Sequence, residues 1–170
     1  MTELLSHVLL AYIIFTVVSW RVEWLTQRWV AVGMIGSLLP DLNRIGLFVT
    51  DAAFETALGI PFGINAIHTL GGVVLFAAIG SLVIADHLKT TFGLLLAGGL
   101  SHLIVDSLKV WVDSAASAWL YPLSWYRPPT PGLYVSSDTR VLAVVGIAAV
   151  GVTLINRGVV GSTHEVNQPR

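Results

Sequence analysis

A chain of 170 residues that is 55% hydrophobic and only 11% charged, with a mean hydropathy of +0.78, is too apolar for a water-soluble domain, since such domains carry roughly 25% charged residues. Its formal net charge of -1, with no run of Lys or Arg and no nucleic-acid motif, excludes a polyanion-binding surface, so no nucleic-acid partner is expected. The lack of cysteine removes disulfides, thiolate catalysis and cysteine-based zinc sites, leaving His, Asp, Glu and oxygen donors for any metal.

Residues 4–20 form an apolar run broken only by small polar residues and His7. The opening MTELLSH lacks the positive start and small-residue cleavage site of a secretory signal, so a retained membrane helix is predicted. RVEWLTQR follows as a polar connection. Residues 29–39 are apolar until PDLNR interrupts them. At about 1.5 Å per residue they reach about half of a ~30 Å hydrocarbon core, so this element is short or broken at Pro40. Residues 50–63, with Asp51, Glu55, Pro61 and Gly63, read as a loop. Residues 64–85 are a spanning run, DHLKT a polar turn, and residues 91–110 the next span. The connection over 111–140 contains YPLSWYRPPTPG, which excludes regular helix. Residues 141–156 are a last apolar run, and RGVVGSTHEVNQPR reads as a flexible tail. The predicted fold class is therefore all-α: a polytopic helical membrane protein with four to five transmembrane helices, in one membrane domain over residues 1–156 with a polar tail over 157–170. Six tryptophans and Tyr126 flank these spans, as an interfacial aromatic belt does.

The topology brings ionisable residues together. If the N-terminus lies on side X, the first span runs to side Y and the second returns to meet Asp41 near its end. The third starts at X with His68 in its first turns, and the fourth climbs back from Y. His102 and Asp106, four residues apart in GGLSHLIVDSL, then share one helical face in the X-side half, near His7. Each residue has a plainer role open to it. His7 suits an interface, Asp41 a cap or turn after Pro40, His68 a bond to a backbone carbonyl, and His102 with Asp106 a self-contained pair. Convergence argues for a shared polar site, because an ionisable group at membrane depth costs roughly 2.5–3.5 kcal/mol on insertion scales.

Imidazoles and carboxylates without thiols suit a divalent metal ion such as zinc or manganese, or iron. A proton or ion relay uses the same residue types and stays open. A Ser-His-Asp triad is disfavoured, because Ser6, Ser101 and Ser107 adjoin the acid and bases in helical sequence and no G-x-S-x-G elbow is present.

SHVLLAY, LLPDL, IHTL, GGLSHLIVDSL and WLYPLSWYR occur in this order over residues 5–127. The series resembles the YdjM-like family of inner-membrane-associated proteins, described as metal-dependent hydrolases. The resemblance implies a multi-pass protein of the inner or plasma membrane. It implies a metal site at His7, Asp41, His68, His102 and Asp106, with catalysis resting on Asp41, His102 and Asp106. The resemblance names no substrate; metal-assisted hydrolysis is expected to act on a phosphoester or a lipid-linked molecule, with membrane lipid as partner, and the alternative is a non-enzymatic protein that binds or transports an ion, a proton or a lipid headgroup. Two departures stand out. Asn43 replaces the second acid of a P-D-x-D pattern, and FGINAIH lacks an H-R-G stretch before His68. Arg127, in YPLSWYR, is a candidate partner for a headgroup phosphate, against an ordinary interfacial arginine. Basic residues divide five to four, with Arg21, Arg28, Lys89, Arg157 and Arg170 on side Y, which places Y in the cytoplasm.

Overall fold

The computed structural model describes residues 2–59, 63–84, 87–136 and 138–166. Among these the chain forms six α-helices and two 3-10 helices: α1 (Thr2–Ser19), α2 (Gln27–Gly36), α3 (Asp51–Leu58), α4 (Leu70–Ile84), α5 (Leu88–Asp106) and α6 (Thr139–Val166), with the 3-10 helices at Pro40–Leu47 and Ile64–His68. The all-α expectation holds. Two of the helices are long and apolar enough to cross a membrane, Leu88–Asp106 and Thr139–Gly158, whereas α1 and α4 are apolar but shorter.

Three elements depart from the sequence reading. The region read as a loop contains α3, which Thr50 caps by accepting a hydrogen bond from the Ala53 amide at 3.3 Å, and which stops at Gly59 in the left-handed region (φ 68°). His68 ends a 3-10 helix instead of opening a span. Thr69 is extended (φ -138°, ψ 168°), and its hydroxyl accepts from the Gly72 amide, so α4 starts at Leu70, two residues after His68. The segment 157–166 read as a flexible tail continues α6, because no proline interrupts it and each added residue contributes a helical hydrogen bond; residues 167–170 lie outside those described.

The break expected near Pro40 is present. α2 has 10 residues, about 15 Å of helix, and Pro40 then begins a 3-10 helix.

The helices pack in the order α4, α5, α2, α1, α6. Ala11 and Phe15 of α1, Val30 of α2, Ala77 of α4 and Leu94 and Leu95 of α5 form the core. Glycine sets the α2–α5 spacing. A Cβ on Gly98 would strike the Gly33 carbonyl and the backbone of Gly36 and Ser37, and one on Gly36 would strike the Leu95 backbone. The two backbones therefore touch where α2 ends, which brings the next turn of α5 against the Ser37 carbonyl. On the opposite side, Val144, Ile147, Val150 and Leu154 of α6 are exposed, the outward apolar face expected of a helix in contact with lipid.

Candidate metal centre

Asp106, the last residue of α5, is the hub of a buried polar cluster drawn from four segments. Its Oδ1 lies 3.1 Å from Nε2 of His7 on α1. Its Oδ2 lies 3.1 Å from Nε2 of His68, 3.7 Å from Nε2 of His102 and 2.8 Å from the Lys109 ammonium. The His7 and His102 rings stack with centroids 3.8 Å apart, and His68 meets His102 edge-on at 5.2 Å.

The second nitrogens of two rings fix their tautomers. His102 Nδ1 faces the Ser37 carbonyl at 2.8 Å, and His68 Nδ1 faces the Pro40 carbonyl at 3.3 Å. A carbonyl only accepts, so each Nδ1 carries the proton. In the neutral rings both Nε2 lone pairs then point at a carboxylate, which is repulsive without a positive species between them. Backbone carbonyls that orient imidazoles in this way are the usual outer shell of metal-bound histidines.

Four buried atoms of this region make no well-formed hydrogen bond: His7 Nδ1, His102 Nε2, Asp41 Oδ2 and Asp106 Oδ1, whose one neighbour is His7 Nε2 at 3.1 Å. Buried polar atoms are paired in the large majority of cases, so such a cluster of orphans calls for an explanation. His7, His102 and Asp106 offer ligand atoms within 4.8 Å of one another, and all three residues are buried. Two donors on one ion at about 2.1 Å are at most about 4.2 Å apart. The trio therefore fits a metal ion after adjustments of under an ångström.

The remaining expected residues are close by. Asp41, in the first turn of the 3-10 helix after α2, accepts at Oδ1 from Arg44 Nε at 2.8 Å. Asp41, Asn43, His68 and Asp106 all line a cavity of about 930 Å³. His68 is outside the buried trio and faces this cavity. Arg127, the candidate phosphate partner, is already engaged. It pairs with Asp113 at 2.7 Å and donates to the carbonyls of Ala115 and Ala116, closing the loop around itself. His87, at the other end of α5, stands against Trp29 and takes no part.

The family described as YdjM inner membrane protein matches residues 1–164. The chain belongs to the YdjM inner membrane protein family. No curated protein and no solved structure matches it. Membership makes this YdjM chain an inner-membrane protein, in keeping with its two long apolar helices.

Sequence reading of this YdjM chain did not single out Glu3, Arg44 or Lys109. Glu3 accepts from Lys109 at 2.8 Å and from Arg44 at 3.4 Å, so it ties the start of α1 to both other carboxylate sites. Burial pulls the Lys109 pKa down, but the Asp106 and Glu3 carboxylates beside it outweigh burial and raise it overall. A signal was available: Arg44 and Lys109 each follow an expected ligand by three residues, a spacing that puts them on the same helical side.

The loop that follows is locked to the site. The first amides of α4, which have no partner within their helix, donate to loop carbonyls: Leu70 to Trp119 at 2.6 Å and Gly71 to Tyr121 at 2.8 Å. A Cβ on Gly71 would strike Pro122. YPLSWYR is thus a rim whose main chain seats the segment carrying His68.

Proposed function

We propose that this chain is a multi-pass metal-dependent hydrolase whose substrate is a phosphoester, lipid-linked or free. The observation that carries the reading is the arrangement around Asp106: two imidazoles locked by backbone carbonyls with Nε2 turned toward a carboxylate, beside four orphaned polar atoms. His7, His102 and Asp106 would hold the ion, with His68 and Asp41 at its cavity side. Zinc or manganese suits a nitrogen and carboxylate set without thiols. When bound, a divalent ion neutralises the carboxylates and polarises a water or phosphoryl oxygen. Asp41 is the carboxylate suited to take a proton from water, because Arg44 holds its Oδ1 while Oδ2 is free of hydrogen bonds. Asn43 lines the cavity without charge, so one carboxylate fewer serves the site than in a P-D-x-D pattern. In this reading α1, α4, α5 and α6 cross the bilayer, α2 reaches part-way, and the site faces away from the cytoplasm.

A second, non-enzymatic reading is favoured by Lys109. Its ammonium already lies 2.8 Å from Asp106 Oδ2, so the carboxylate is balanced by a tethered cation. A protein that only binds an ion, a proton or a headgroup has use for such a cluster without turnover.

Metal analysis of the detergent-purified protein tests the first reading. His68→Ala, His102→Ala and Asp106→Ala should each lower bound metal, and His87→Ala should not. Equal metal content in all four sinks the metal site. Retained metal with no turnover on a panel of phosphomonoesters, phosphodiesters and phospholipids favours the second reading.

A further inference from the structure

A second cavity, of about 240 Å³, lies between α1, α5 and the start of α6. Its walls are Leu10, Val105, Leu108, Val141 and Val145, and it reaches His7 and Glu3. Glu3 also lines the larger polar cavity, so the two spaces meet at one residue beside the Asp106 cluster. All five apolar wall residues are only partly buried, so the cleft communicates with the surface.

We propose that this cleft holds one hydrocarbon chain of a membrane lipid whose phosphate-bearing headgroup lies in the polar cavity. α5 and α6 are the two helices long and apolar enough to cross a membrane, so lipid is the solvent at the cleft's outer side. A peptide segment would bring backbone amides and carbonyls that need partners. The five apolar side chains offer none; of the hydroxyls on the cleft wall, Tyr134 already donates to the Val105 carbonyl at 3.0 Å, and Ser6 and Ser136 have partners of their own. A hydrocarbon chain needs no partners. The polar cavity supplies the complementary half: Arg44 and Lys109 line it, each now paired with carboxylates of the site, and an anionic group would share them. Together the two spaces match an amphiphile, with Glu3 standing where chain and headgroup join and His7 beside it on the cleft side. The fate of the headgroup rests on the metal-dependent reading above, whereas occupancy of the cleft by a chain does not.

The test uses the full chain in phosphatidylcholine vesicles with a trace of phosphatidic acid that carries a diazirine in the middle of one acyl chain. After irradiation, peptides are mapped by mass spectrometry. Label should concentrate on peptides with Leu10, Val105 or Val145, above peptides with Leu75 and Leu82 on the exposed face of α4. Val145→Trp fills the cleft from α6 and should lower cleft labelling about tenfold, the factor for about 1.4 kcal/mol, or fewer than two displaced methylenes at about 0.8 kcal/mol each. Labelling of α4 should not change. If circular dichroism shows that Val145→Trp has lost helix, Leu10→Phe fills the same space from α1, with the same expectation. Cleft labelling no higher than that of α4, or unmoved by a folded filling variant, overturns the proposal. Metal is measured on the same samples. Cleft labelling without bound metal supports the chain site and sinks the metal reading alone; metal without cleft labelling sinks the chain site alone.

Discussion

Gly98→Ala puts the structural argument to its sharpest test. A Cβ at this position meets only backbone, namely the Gly33 carbonyl and the main chain of Gly36 and Ser37, so no side chain can rotate to make room. α2 and α5 must separate. Gly93, on the same helix, has nothing within 4 Å of an added Cβ, so Gly93→Ala should be neutral or stabilising, by about 0.5–1 kcal/mol from lost backbone freedom in the unfolded chain. That gain applies to both variants and cancels in their comparison. The remaining difference is the packing penalty, about 1–3 kcal/mol for a forced extra carbon. At about 2–4 °C per kcal/mol for a chain of this size, Gly98→Ala should melt about 2–12 °C below Gly93→Ala in detergent. The separation also pulls the Ser37 carbonyl from His102 Nδ1, so bound metal should fall in Gly98→Ala and hold in Gly93→Ala. Equal melting temperatures would refute the claim that backbone contact at Gly98 sets the spacing. A lower melting temperature with full metal content would confine Gly98 to the fold.

Lys109→Met removes the ammonium that occupies Asp106 Oδ2. Metal affinity should rise at least about tenfold, about 1.4 kcal/mol, while the metal-free protein melts lower because the buried Asp106 and the partly buried Glu3 lose their cation; titration calorimetry with zinc checks it, and an unchanged affinity argues that Lys109 does not compete with metal. Asp113 donates nothing but accepts from Arg127, and this hydrogen bond lowers its pKa below the ordinary 3.8. The pair's contribution is therefore complete above the unfolded value and disappears as pH falls through the depressed folded value, so a spin label at a cysteine replacing Ser124 should become mobile only below about pH 4, and at neutral pH in Asp113→Asn. For orientation, single cysteines at Thr26 and Thr90 should resist an impermeant thiol reagent in intact cells; rapid labelling of both places the metal cluster on the cytoplasmic side.

The apolar runs alone determined that the chain is all-α and too hydrophobic for water, because helical hydrogen bonds are local and a bilayer solvent leaves its mark in composition. Local periodicity likewise put His102 and Asp106 on one face, and the alternation of spans predicted that His7 and His68 would come to the same end. Pro40 marked its own break, since it cannot continue the hydrogen-bond ladder of α2. Tertiary structure decided the rest. The tautomers of His68 and His102 depend on carbonyls of residues 40 and 37, and the Glu3–Lys109 pair joins residues whose numbers differ by 106, distances over which no sequence period speaks. Thr50 and Gly59 fenced a helix inside an expected loop, a local signal that the acidic and glycine-proline composition of the segment obscured. Arg127 was taken up by Asp113 and two loop carbonyls instead of standing free, because an irregular loop must satisfy its own backbone. The apolar cleft beside His7 had no trace in the sequence at all: Leu10, Val105 and Val145 are three apolar residues among many in their runs, and only the packing of α1 between α2 and α6 leaves a space among them.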